Sequence, residues 1–220
     1  MKRPTKRGTT TSGPADGAFG GCALTFGNRK KMMIRAATPD DATDLAKLHV
    51  DSWRAAYAGL VPADHLRKLD YEKRSARFRE GLIGKTEETY VFDGPAGIHG
   101  FVSLGACRDD DVDCTQVGEI WGIYLAPQHW RKGVGSTLCR HAEDLLRSRN
   151  YCECVLWVFD GNSQARRFYE AMGFRTDGAS KMLNPGAPLK AVRYRKALRS
   201  AEPQGGGYSP PASRSAQPTP

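Results

Sequence analysis

Residues 119–135 read EIWGIYLAPQHWRKGVG: an apolar run to Leu125, a break at Ala126-Pro127, then a basic turn that continues as Arg131-Lys132-Gly133-Val134-Gly135-Ser136. The pattern predicts a strand over 117–125 and a helix over 133–149, with Val134, Leu138, Ala142, Leu145 and Leu146 along one face. The first N–H groups of a helix lack internal partners and carry partial positive charge, so such a turn suits a pyrophosphate. Glycine permits close backbone approach, and Arg131 and Lys132 add charge. The segment is not a P-loop, because no Gly-Lys-Ser/Thr stands four residues after a glycine. Nor is it a dinucleotide fingerprint, which needs glycine at Leu138. Taken alone, it reads equally well as a basic cap on a helix.

Downstream, Cys152 to Phe159 is β-branched and aromatic, the composition of a buried strand. Residues 162–172 read as a helix ended by Gly173, and 174–176 and 189–196 as closing strands. Upstream, a short strand near Ile34 gives way to a helix over 40–59. Its Leu45, Leu48, His49, Ser52, Trp53, Ala56, Tyr57 and Leu60 fall at three- and four-residue spacing. A second helical stretch covers 63–82, and strands over 89–93 and 97–107 flank the turn Asp93-Gly94-Pro95-Ala96-Gly97. The order β-α-α-β-β-β-α-β-α-β-β is that of an α/β domain built on a mixed sheet.

The turn segment and the later run VLWVFDGN (155–162), Ala165, Phe168-Tyr169 and Gly173-Phe174 resemble, in this order, the GNAT superfamily of N-acetyltransferases. The resemblance spans about 33–198, from IRAATPDDATDLAKLHVDSWRAAYAGLVP to VRYRKAL. It implies a mostly antiparallel mixed sheet flanked by helices, acetyl-CoA as co-substrate, and direct transfer of the acetyl group to an amine. By resemblance, Tyr169 is the acid that protonates the departing thiolate, and the alternative is that it only packs a helix face. Glu119, on the strand entering the turn, is the candidate base, or else a solvated strand-end carboxylate. Strand alternation sets it on one face with Trp121, Ile123 and Leu125. The resemblance assigns cofactor contacts to Ile123, Tyr124, Leu125, Arg131, Lys132, Gly133, Val134, Gly135, Ser136, Asn162 and Tyr169; Asn162 also reads as a helix N-cap.

The chain departs from the family pattern at three places. Trp130 stands where arginine or glutamine is common, and Arg131 where glycine is frequent. Trp157 replaces the glutamate of the branch that acetylates ribosomal-protein N-termini, which argues against that activity. On the first helix, His49, Trp53 and Tyr57 are four apart; Trp53 and Tyr57 are candidates for an amine pocket, although such stripes are more often core. The run Asp109-Asp110-Asp111 with Asp113 reads as a solvated turn, or as a collector of a polyamine or cation. His65, His99, His129 and His141 show no metal spacing, and no metal is expected.

The 220 residues leave room for one domain with tails. Net charge is +9, but residues 1–31 hold seven basic side chains against Asp16 alone, and 32–200 hold 25 basic against 22 acidic. Nucleic acid is therefore not expected as a partner. The longest strongly apolar run, 154–159, excludes a spanning helix. No apolar h-region follows the basic start, and the six cysteines lack redox or zinc spacing, so reduced thiols and a cytoplasmic location are expected. Residues 1–31 read as a disordered basic tail or as an overcalled start before Met32 or Met33. Residues 32–200 are the acetyltransferase domain, and 201–220 a Pro/Ser/Gly-rich disordered tail. The expected acceptor is the primary amine of a small molecule such as a polyamine, an amino acid or an amine antibiotic. The alternatives are a protein N-terminus or lysine, and a non-catalytic acetyl-CoA-binding module; a homodimer is possible.

Overall fold

The computed structural model describes residues 32–198; the expectations for 1–31 and 201–220 lie outside the described residues. The strands are β1 (Met33–Ala36), β2 (Glu88–Gly94), β3 (Gly97–Ala106), β4 (Val117–Leu125), β5 (Glu153–Phe159), β6 (Arg175–Leu183) and β7 (Leu189–Ala197). The helices are α1 (Ala42–Ala56), α2 (Ala63–Arg67), α3 (Tyr71–Gly84), α4 (Val134–Ser148) and α5 (Ser163–Ala171). The strands form one sheet in the order β1-β2-β3-β4-β5-β7-β6. Every pairing is antiparallel except β4 with β5, whose parallel register needs the α4 crossover between them.

The apolar stripe of α4 determines which face it buries. Val134, Leu138, Ala142 and Leu146 pack with Val102, Leu104, Ile120, Leu156 and Tyr194 on one side of the sheet, and α5 adds Tyr169. On the other side, Leu45 and Leu48 of α1 and Phe78 of α3 cover Val91 and Phe101. The stretch expected as one helix over 63–82 is two, because the Asp70 carboxylate accepts the N–H of Lys73 and caps a new start. The strand expected over 174–176 runs on to Leu183, with its pairing to β7 interrupted between Thr176 and Ser180. Among the described residues no helix is long and apolar enough to cross a membrane.

Candidate active site

Strand β4 carries the irregularity that makes the site. Ser103 pairs with Gly122 and Leu104 with Ile120, so Trp121 is an extra residue, a bulge. Side chains alternate until a bulge shifts the phase, so the face expected to unite Glu119, Ile123 and Leu125 does not exist. Ile123 and Leu125 pack toward α4, and Tyr124 toward α1. Glu119 pairs with Gly105 and lies on the α1 side. The parallel ladder between β4 and β5 ends one residue before the bulge, at Ile120 and Leu156. Beyond it the strands part, and a cleft of about 760 Å³ opens along Trp121–Leu125 on one wall and Trp157–Val158 on the other.

At one end the cleft meets the basic turn. Arg131 (φ 57°) and Gly133 (φ 83°) both occupy the left-handed region, where glycine is at ease and arginine is uncommon. The Trp130 indole N–H donates to the Leu125 carbonyl at 3.1 Å and ties the turn back to the strand. A Cβ on Gly133 would meet nothing within 4 Å, whereas one on Gly135 would stand 3.2 Å from Leu125 Cδ1 and 3.5 Å from the Phe168 ring. Glycine at 135 thus lets α4 close onto β4 and α5. The first internal bond of α4 runs from the Thr137 N–H to the Gly133 carbonyl at 3.0 Å, which leaves the N–H groups of 134–136 without helical partners. Arg131, Gly133, Gly135 and Ser136 line the cleft. The exposed Lys132 and the core-buried Val134 side chain do not.

Helix α5 closes the second wall. The Asn162 carboxamide accepts the Ala165 N–H at 3.1 Å, a working N-cap, and the residue also lines the cleft. Ser163, Gln164 and Arg167 join it there; sequence reasoning passed over them, although their spacing from Asn162 places them on the first turns of the same helix. Tyr169 is buried against Phe168 and Phe174 and reaches the cleft. Burial raises the pKa of its phenol well above the usual tyrosine value. From α1, Tyr57 lines the cleft and Trp53 stands behind it, the rings 4.6 Å apart. His49 is core, stacked with Phe101, edge-on to Phe78 and tilted against Tyr124.

Glu119 is 3% exposed in its side chain and outside the cleft lining. Its two oxygens accept the Arg108 side chain at 2.7 and 3.0 Å and the Arg108 N–H at 3.1 Å. The acidic run is not merely a solvated turn. Asp109 accepts the Trp157 indole N–H (3.1 and 2.9 Å), Lys181 (3.2 Å) and Arg193 (3.1 Å), and Asp111 accepts Arg193 at 2.6 and 2.8 Å. These contacts hold the Asp109 carboxyl below the usual range despite its burial, which acts the other way. No group of metal-ligating side chains is assembled among the described residues.

The sequence model of the Acetyltransferase (GNAT) family matches residues 44–174. YuaI, an uncharacterized N-acetyltransferase of Bacillus subtilis, is 30% identical over 164 residues, covering 72% of this chain and 89% of its own length. The spermidine N(1)-acetyltransferase of Thermoplasma acidophilum is 27% identical over 154 residues, 66% of this chain and 91% of its own. The crystal structure of the PaiA N-acetyltransferase from that organism, in complex with coenzyme A, superposes with a TM-score of 0.62 at 21% identity, over 76% of this chain and 99% of the other. With a strand bulge, a parted parallel pair and a glycine-lined helix start all falling inside the matched segment, the chain belongs to the GNAT family of acetyltransferases.

Proposed function

We propose that this N-acetyltransferase moves an acetyl group from acetyl-CoA directly to the primary amine of a small molecule. The observation that carries the reading is the cleft itself, which runs without a break from the α4 start to Tyr169 and Tyr57. The spermidine acetyltransferase among the relatives favours a small acceptor over a protein. The site fits acetyl-CoA. Unpaired N–H groups at 134–136, with Arg131 and Arg167, suit its phosphates, and the open edge of β4 at 121–125 offers amide groups of strand spacing to its arm. When bound, acetyl-CoA supplies the acyl group as an activated thioester.

The chain's own groups then divide the work. Backbone amides of Ile123, Tyr124 and Leu125 orient the acyl carbon, and Tyr57 bounds the space left for the amine. Burial keeps the proton on Tyr169 at neutral pH, so its hydroxyl donates to the departing sulfur. A free phenolate in that setting is costly, so the proton it gives up is replaced by one from the attacking amine. Glu119 is committed to Arg108, whose guanidinium covers the Trp121 ring. The acceptor's ammonium gives its first proton to water in the open cleft before it attacks, and its second is the one that replaces the proton of Tyr169.

Titration of the protein with acetyl-CoA in a calorimeter, alongside thiol release with a panel of amines, tests the reading. Binding with release on one amine class supports it. Binding without release from any amine favours a non-catalytic binding module, and absence of binding removes the cofactor assignment.

A further inference from the structure

We propose that the Trp157 end of the cleft is a subsite for the second ammonium group of a diamine acceptor, and that Lys181 fills it until the acceptor arrives. The proposal rests on the acetyltransferase reading for the reacting amine, while the subsite is defined by its own residues. Trp157 lines the cleft; Asp109 and Lys181 stand behind it, outside the lining. Both oxygens of Asp109 hold its indole N–H, so the release of Lys181 is what opens the ring face. Lys181 Nζ lies 3.8 Å from the ring centroid and 3.2 Å from Asp109 Oδ1. An aromatic face beside a carboxylate is what a desolvating primary ammonium requires, and the resident head group is itself a primary ammonium.

Lys181 is also the exchangeable member of the cluster. Its side chain is 42% exposed, on edge strand β6, so its release into water costs little. Arg193, 6% exposed, is fixed by Asp109, Asp111 and Asp177 and stays. Those three carboxylates face two cations, Arg193 and Lys181; Arg195, 3.7 Å from Asp177, is matched by Glu153 at 3.4 Å. The cluster therefore carries surplus negative charge even with Lys181 in place, and more without it. Trp121 offers no equivalent vacancy, since its ring is covered at 4.6 Å by Arg108, whose removal strands the buried Glu119. The far end of the cleft carries Arg131 and Arg167 instead. Trp121 and Leu125 lie four residues apart, roughly 13 Å along β4. One end thus suits phosphate and the other an ammonium.

The test is CoA release by the full-length protein with α,ω-diamines of three to six carbons and their matching monoalkylamines. The readout is the ratio of kcat/KM for the best diamine over its monoamine, which unproductive binding leaves untouched. Lys181→Met should raise the ratio about three- to fivefold, the worth of one exposed cation–π contact. Lys181→Arg, which keeps a cation on the ring, should hold the wild-type ratio. An unchanged ratio in Lys181→Met overturns the proposal. So does a 42 Da gain on Lys181 after incubation with acetyl-CoA alone, since that makes the lysine a substrate rather than a place-holder. If no amine releases CoA, the acetyltransferase reading falls, and calorimetry with 1,4-diaminobutane decides the subsite. Tighter binding by Lys181→Met upholds it, and equal binding by both proteins sinks it.

Discussion

At Tyr169 a single oxygen separates packing from chemistry. The ring is buried in the α4-side core and shares that role with any aromatic residue, whereas only the hydroxyl can pass a proton. Tyr169→Phe should lower kcat about 10²-fold, with acetyl-CoA affinity within about twofold of wild type. Stopped thiol-release assays and calorimetry measure the two, and undiminished turnover removes the acid role. Gly133 poses the complementary case, with no neighbour to clash and a backbone angle that side chains resist. Gly133→Ala should cost about 1 kcal/mol, a fall in Tm of about 2–4 °C, and weaken acetyl-CoA binding by distorting the turn. Both stand out as candidates in the sequence, because phenol and glycine carry their properties with them. The Glu119–Arg108 clasp does not, since it joins two strands' ends across a turn, and the bulge that parts Glu119 from the face of Ile123 and Leu125 is announced by no periodicity. The Lys132 and Val134 side chains lie outside the cleft lining, because a helix start turns successive side chains to different sides, and at Val134 only the backbone N–H faces the phosphate end.

Helix α1 was legible as an element, its three- and four-residue spacing being matched by the burial of Leu45, Leu48, His49 and Ser52. The ambiguity lay in which elements its aromatic stripe meets. His49 turns into the core, Trp53 is half-buried against Tyr57 and Phe159, and Tyr57, at the helix end, borders the cleft. The division of 63–82 was signalled by Asp70, an ordinary capping residue hidden among charged neighbours. The length of β6 was not signalled, because an exposed edge strand has no apolar alternation to read. Burial, and secondarily the charge of Arg74, press the pKa of His49 down to about 3. Its unfolded value is near 6.5, so the unfolded chain takes the proton first. The stabilisation is whole above that value and is lost as pH falls toward 3. Between pH 6 and 4.5 this adds up to about 1.4 kcal/mol per pH unit to the slope of unfolding free energy. His49→Phe should flatten that slope in urea melts taken across the window; equal slopes for both proteins place the proton elsewhere.

Over the whole molecule, the long-range ties were the least legible part. Asp109 reaches Lys181 and Arg193 across 72 and 84 residues, and this joins the loop between β3 and β4 to the β6–β7 edge of the sheet. Such partners are matched by the fold and not by spacing. The distribution of charge, in contrast, can be read directly, and it makes a prediction about the tails. Of the net +9, residues 1–31 supply six, so the rest of the chain carries only +3. Residues 32–198 hold the core clusters and the cleft lining described above. A fragment of those residues should therefore melt at the temperature of the full chain and bind acetyl-CoA within about twofold of it. The excess positive charge should show instead in salt-sensitive retention on an immobilised polyanion, present in the full chain and largely lost in the fragment. Loss of acetyl-CoA affinity in a fragment that still melts cooperatively would mean that residues outside it reach the phosphate end of the cleft, where basic side chains from 1–31 have the charge to act. Retention that survives the truncation would instead locate a basic surface on the fold itself.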